Sequence, residues 1–275
     1  MARSGQTWDE AKIAQLFALG AGSGRGKAYK PWLTVRRVSS KGRSHRPLRR
    51  TTGRLHHLLS DIESRAFLIY DWAESVTDIR EQFPLDRAVT RRIAAEMGVR
   101  HPTHPGGSVP AVMTTDFLLD VALDGRATLA ARAAKPAVAL DDARTLEKLE
   151  IERRYWAEQE ISWGIVTDRD LPPVLIANLE WLQGPSADPD WTAGDLARAA
   201  ALGRALPRFA GEPLRSFCAA MEAELSLAPG EVLSLLRRLL ATRRWQADLS
   251  QALWDAEAPM GRFGLVAPDE ARARA

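Results

Sequence analysis

One dipeptide constrains this chain more than any other: Asp124-Gly125, set between the apolar runs of TTDFLLDVAL and RATLAARAAKP. Asp-Gly supplies the two consecutive positive-φ residues of a type I′ turn, and with alternating apolar flanks it is the strongest short signal for a β-hairpin. A two-residue loop pairs Leu123 with Arg126, and every facing pair then sums to 249. Asp116 falls opposite Ala133, and Thr114 opposite Lys135. Facing residues share a face, as do residues two apart, so a regular hairpin projects Asp116, Ala133 and Lys135 from one side. An acid and a lysine kept together in an apolar hairpin allow two readings: a structural ion pair at a sheet edge, or a charged site that performs chemistry.

Composition narrows the setting. The chain has 275 residues, 45% hydrophobic and 27% charged, which suits a water-soluble protein of two domains. Its longest apolar runs, AFLIY and PAVAL, fall far short of the roughly 20 residues that span a bilayer, so no membrane role and a cytoplasmic location are expected. The single cysteine, Cys218, excludes an internal disulfide and a thiolate zinc cage, and is expected as a core residue of a helix. Charge is unevenly placed: residues 1–60 carry 13 Lys and Arg against 2 Asp and Glu, whereas residues 170–275 carry 11 against 14. A basic N-terminal third beside acidic remaining parts suggests a polyanion that one part holds and another processes. Tyr29, Trp32, Leu33, Val35 and Val38 interleave the basic segment, which a solvated tail does not need.

Along the chain, TWDEAKIAQLFALG predicts a first helix, with Thr7 as its cap and Gly20 as its stop. GAGSGRGK ends in Gly-Lys but lacks the first glycine and the final Ser or Thr of a phosphate loop, and it follows a helix where such a loop follows a strand. In RLHHLLSDIESRAFLIYDW the apolar residues Leu59, Ile62, Ala66, Phe67 and Tyr70 place Glu63 toward the core. If the helix starts at Ser60, Glu63 equally suits a capping box; if it starts at Arg54, no such duty falls on it. VTDIREQFPL reads as a strand and RAVTRRIAAEMGV as a helix. His101 and His104 sit before prolines in a loop without acidic or thiol neighbours, and read as ordinary loop histidines.

If Glu63 meets the hairpin face, two carboxylates can hold a hard divalent cation such as Mg²⁺, which acidifies water and neutralises phosphate charge, with Lys135 adding a further positive charge. RTLEKLEIERRYW is a charged helix on which Glu147, Glu150 and Glu152 mostly make a solvated face. Glu152 is the reserve candidate for a second metal ion or for supporting the ligands from behind. ISWGIVTD reads as the last strand of this part. After the linker QGPSADPDW come three helical segments, with Thr192 as a cap and Leu233, Leu236 and Leu240 as a core stripe. With WQADLSQALW they suit a small winged-helix domain. Its acidic balance favours a protein contact over DNA reading, although Arg237, Arg238, Arg243 and Arg244 could make a local basic strip.

HHLLSDIESRAFLIYDW, VTDIREQFPL, MTTDFLLDV, AAKP and RTLEKLEIERRYW, in this order, closely resemble the TnsA family, the endonuclease subunits of heteromeric cut-and-paste transposases. The resemblance is strong over roughly residues 30–170 and weaker beyond. It implies an α/β restriction-endonuclease-like core, a mixed sheet flanked by helices, with a C-terminal winged-helix-like domain. The expected organisation is a basic helix and arm over 1–60, belonging to the nuclease domain, a catalytic core over 61–170 and the C-terminal domain over 171–275. The matching positions give Glu63, Asp116 and Lys135 as the catalytic residues of a Mg²⁺-dependent nuclease, in which Mn²⁺ can substitute; Glu63 and Asp116 are the expected ligands, and the hairpin lets the Ala134 carbonyl turn toward the metal as a further one. The implied activity is cleavage of the 5′ transposon ends, beside an integrase-like transposase and an AAA+ ATPase regulator that meets the C-terminal domain. Double-stranded DNA is expected on Arg36, Arg37, Lys41, Arg43, Arg46, Arg49, Arg50 and Arg54. The family usually has glutamine where this chain has Ala133. That departure keeps two alternatives open: a catalytically silent DNA-binding adaptor, and a free-standing nuclease of restriction or repair type.

Overall fold

The computed structural model describes residues 8–35, 47, 52–104, 107–183 and 190–265, which divide between two compact units, Met1–Leu171 and Pro172–Ala275. In the first, helix α1 (Glu10–Ala18) is followed by α2 (Asp61–Trp72), strand β1 (Val76–Pro84), α3 (Arg87–Glu96), the hairpin β2 (Thr114–Leu123) and β3 (Arg126–Ala134), α4 (Ala143–Ala157) and β4 (Ser162–Val166). The sheet runs β1-β2-β3-β4, antiparallel twice and then parallel, since the return from β3 to β4 passes through α4. The hairpin has the expected register, from Leu123↔Arg126 to Phe117↔Arg132. Asp124 and Gly125 take φ of 50° and 74°, as the I′ turn demands.

Each face of the sheet has its own helical cover. Leu118 and Ala131 pack with Ile151, Tyr155 and Trp156 of α4 and with Ile93 and Ala94 of α3. Phe117, on the opposite face by alternation, meets the Tyr70 ring of α2 with centroids 5.3 Å apart. The basic N-terminal segment is folded into this unit where it is described: Trp32 is wholly buried among Ile13, Leu16 and Val112, and Tyr29 donates to the Glu81 carbonyl at 3.0 Å. Thr7 and Val38 lie outside the described residues; the observed cap of α1 is Asp9, whose side chain accepts from the Lys12 amide. The glycine-rich loop is a tight turn: at Gly24, with φ of +88°, a Cβ would stand 2.5 Å from the Ala28 carbonyl oxygen.

The second unit contains α5 (Pro173–Trp181), α6 (Ala193–Ala205), α7 (Leu214–Leu225) and α8 (Glu231–Ala241), then the antiparallel pair β5 (Trp245–Ala247) and β6 (Phe263–Leu265). Three helices and a two-stranded wing follow the order of a winged helix. Thr192 caps α6 in a capping box with Asp195. The buried stripe of α8 runs through Val232, Leu235, Leu236, Leu239 and Leu240; Leu233, expected in the core, is only half-buried because it lies at the edge of that stripe. Cys218 is likewise half-buried on α7, its thiol pushed up to about 12 by burial and by Glu222. The expected basic strip is partly used up internally: Arg237 donates to the Trp181 and Gln183 carbonyls, and Arg238 pairs with Asp195 at 3.0 Å.

Candidate active site

The site grows from the point where β2 parts from β3. Their ladder ends at Phe117↔Arg132, and beyond it the Asp116 carboxylate takes the place of a main-chain acceptor: Oδ2 accepts from the Ala134 amide at 2.7 Å and from Lys135 Nζ at 2.7 Å. Lys135 follows β3 directly, its amide tied to the Val166 carbonyl of β4 at 3.0 Å. Its Nζ donates also to the Ala134 carbonyl at 3.0 Å. Burial pulls this ammonium down, but Asp116, Glu152 and Glu63 together outweigh burial and hold it charged.

Glu63 reaches the same place from α2. Ser60 caps that helix, accepting from the Glu63 amide at 3.1 Å. The Glu63 carboxylate turns back to accept from the Leu59 amide at 2.9 Å and the Ser60 hydroxyl at 2.9 Å. Both readings of this residue therefore hold at once: it closes the helix start as a variant of a capping box, and it is buried beside Asp116. Burial, then the Asp116 charge, push its carboxyl up to about 7 against the pull of Leu59, Ser60 and Lys135. Glu152 of α4 is equally buried. It accepts from Trp163 Nε1 at 3.0 Å and from the Thr115 hydroxyl, and burial and Asp116 raise it too, to about 7.

The hairpin's regular alternation does not extend to this row. Glu81 of β1 binds His56, whose ring lies on Phe67 of α2, yet Phe83, two residues on, packs with Trp156 of α4. Phe117 and Thr115 differ in the same way, since one meets Tyr70 and the other Glu152. Both strands thus change faces at Gln82 and Asp116, which the β1–β2 register sets opposite each other between Glu81↔Phe117 and Phe83↔Thr115. Gln82 makes the change with φ of 50°. The single-face expectation for Asp116 fails for this reason, although its meeting with Lys135 stands.

Three buried carboxylates around one ammonium leave an excess of negative charge, and carboxylate and carbonyl oxygens are the donors a hard divalent cation prefers, so the donor set fits Mg²⁺. Among the described residues no three His, Cys, Asp or Glu side chains stand together as a ready cage. Lys135 Nζ instead holds Asp116 Oδ2 and Ala134 O, two of the atoms on residues expected to bind the metal. Ala133 is wholly buried, so its small side chain does not open onto solvent.

The expected DNA-contacting set fares differently. Arg36, Arg37, Lys41, Arg43, Arg46, Arg49 and Arg50 lie outside the described residues. Arg54 does not belong with them: it is buried, and its guanidinium grips Glu81 with bonds of 2.8 and 2.5 Å while donating to the Ile79 and Gly26 carbonyls. With its fifth N–H directed at the Leu55 carbonyl at 3.5 Å, the side chain has no donors left for phosphate. Sequence reasoning missed that pairing because Arg54 and Glu81 are 27 residues apart with no shared pattern. It also missed Gln82, whose Nε2 donates to Glu63 at 3.1 Å. A glutamine inside REQFP carries no turn signal, and only an unexplained polar residue in a buried strand hinted at it.

Comparison with known proteins gives a consistent picture. A family described as TnsA-like endonuclease N terminal matches residues 73–168, and one described as TnsA endonuclease C terminal matches residues 170–249. The chain is 45% identical over 241 residues to the transposon Tn7 transposition protein TnsA of Escherichia coli, an alignment covering 88% of this chain and 87% of that protein.

Proposed function

The chain belongs to the TnsA family and is a transposon-cleaving endonuclease subunit, and from this premise we propose that Glu63, Asp116 and Lys135 carry its phosphodiester hydrolysis at the 5′ transposon ends. The observation that carries the assignment is the Asp116–Lys135 pair at 2.7 Å with two further buried carboxylates about it, both held up near neutrality. A structural ion pair would not need two further carboxylates beside it whose charged forms burial and Asp116 both disfavour.

Glu63, Asp116 and the Ala134 carbonyl would hold Mg²⁺, or Mn²⁺ in its place, with Glu152 supporting them from α4. The ion supplies charge neutralisation at the scissile phosphate and a more acidic water. Lys135, one-third exposed, turns its ammonium toward the phosphate oxygen that gains charge during attack. Water adds to phosphorus as the bond to the leaving 3′ oxygen breaks, and that oxygen takes up a proton. The basic residues from Arg36 to Arg50 bind duplex backbone, an integrase-like transposase acts on the other strand, and the C-terminal unit meets an AAA+ regulator.

The test is strand cleavage on transposon-end DNA with and without the partner transposase. Asp116→Ala is expected to remove cleavage by roughly a thousandfold or more, since loss of a metal ligand forfeits several kcal/mol of transition-state stabilisation. Cleavage at the wild-type rate would show that the chemistry lies elsewhere. The silent-adaptor reading predicts instead that the wild-type chain never cuts, with either metal.

A further inference from the structure

Gln82 stands out from every other residue of β1. It is 2% exposed, it has a left-handed backbone that non-glycine residues rarely adopt, and its side chain is directed at the proposed metal ligand Glu63. All the other hydrogen bonds described on that carboxylate come from its own helix start, Leu59 and Ser60. The surroundings keep the unusual conformation in place. The Trp32 amide donates to the Gln82 carbonyl at 3.2 Å, and the preceding residue, Glu81, is clamped by Arg54 and His56. At the far end of the side chain, the Thr114 hydroxyl donates to Gln82 Oε1 at 3.4 Å, which leaves the amide nitrogen to face Glu63.

A strained residue persists where its surroundings enforce it, and such residues cluster where function requires an orientation that regular structure does not give. Without the left-handed turn, Gln82 would project on the α4 side, away from Glu63; with it, Glu81 and Gln82 both serve the α2 side. We propose that Gln82 is a positioning residue of the cleavage site: its kink turns an amide onto Glu63 Oε2 and fixes that carboxylate toward Asp116, opposite which Gln82 stands in the sheet. This rests on the reading of Glu63 as a ligand. Gln82 itself touches neither substrate nor metal in this role. The clamp on Glu81 and the Trp32 bond then serve the site indirectly, by sustaining the kink.

The test uses two variants in the full chain with its partner transposase. Gln82→Gly removes the amide and suits φ of 50° better than glutamine does. Gln82→Met keeps the length of the side chain but has no N–H. Both are expected to lower kcat by roughly ten- to a hundredfold, the usual range for losing a hydrogen bond to a charged group, with KM for end DNA unchanged. Calorimetric titration of Mg²⁺ into the DNA-free protein should show affinity weakened by a similar sense and a smaller factor, a reading independent of turnover. Wild-type kcat and Mg²⁺ affinity in either folded variant would overturn the proposal, because a purely structural kink is satisfied by glycine. Glu63→Gln run alongside separates the two levels: if it cleaves normally, the reading of Glu63 fails; if it is inactive while the Gln82 variants are normal, only the role of Gln82 fails.

Discussion

Glu81 and Glu63 lie on the same side of the sheet, 0% and 5% exposed, and yet they titrate in opposite directions. Burial raises both. At Glu81 the bonds from Arg54 and His56 overcome it and hold the carboxyl down to about 2. At Glu63 no cation among the described residues bonds directly, burial is joined by the nearby Asp116 charge, and the carboxyl rises to about 7. A buried carboxylate with its own arginine is part of the frame. One left near a second acid, bonded by amides and a hydroxyl, is on the proposed function the one that takes a cation from outside. Burial alone therefore does not separate structural from functional acid; the partner does.

Exchanging each acid for its amide gives the largest expected contrast. Glu81→Gln leaves the Arg54 guanidinium buried without its counter-charge and should destabilise the nuclease unit by roughly 3–5 kcal/mol in urea unfolding, while the molecules that remain folded still cut, slowed at most as far as the Gln82 variants are. Glu63→Gln keeps one oxygen for the bond from the Leu59 amide, turns an NH2 toward the Ser60 oxygen, and removes a carboxylate that the fold disfavours at alkaline pH. Its stability at pH 8 should be unchanged or higher, and cleavage should fall by roughly a thousandfold. If Glu81→Gln is neutral and Glu63→Gln unfolds the chain, the two roles have been assigned the wrong way round.

Acidity gives a second, smaller contrast, with opposite signs. Glu81 is depressed in the folded state, so its contribution is present above the ordinary carboxylate range and is lost as pH falls toward about 2. Glu63 and Glu152 are raised, so the folded protein binds more protons than the unfolded chain between the ordinary value and about 7. Their contribution is complete below that window and is lost as pH rises through it. Metal-free protein should therefore unfold at lower urea at pH 8 than at pH 5.5, and Glu63→Gln should flatten that slope. An unaltered slope in the variant would mean that Glu63 titrates normally.

Much of this arrangement was legible in the sequence because it rests on local rules. Asp124-Gly125 fixed a turn, the turn fixed a register, and the register brought Asp116 to Lys135. Ser60 and Glu63 announced a helix start by their spacing. Period-2 reasoning failed where one residue left the extended conformation: nothing in REQFP distinguishes Gln82 from an ordinary strand residue, and its φ of 50° is imposed by Trp32, Thr114 and Glu63, contacts distant in the chain. Arg54 was misplaced for a related reason. A basic residue at the end of a basic run looks like its neighbours until its partner on β1 is known.

The smallest effect is expected at Ala133, and it probes how much of the site's polar lining comes from β1 and how much from β3. Ala133 continues the alternation of Ala131, toward the α4 side, whereas the Gln82 amide lies on the α2 side with Glu63. The two positions are therefore not interchangeable, and a glutamine at 133 would add a donor and an acceptor where the chain has only a methyl group. Since Ala133 is wholly buried, the larger side chain must displace neighbours at a cost of about 1–3 kcal/mol. Glutamine's carbonyl is also a donor atom of the kind Mg²⁺ accepts. Ala133→Gln should thus unfold somewhat earlier in urea and yet reach half-maximal cleavage at a Mg²⁺ concentration about two- to threefold lower, with the cut site unmoved, a shift of under one kcal/mol. If the stability cost is seen without any change in Mg²⁺ dependence, position 133 serves packing alone, and the polar lining of the site is supplied by Gln82 and the three acids.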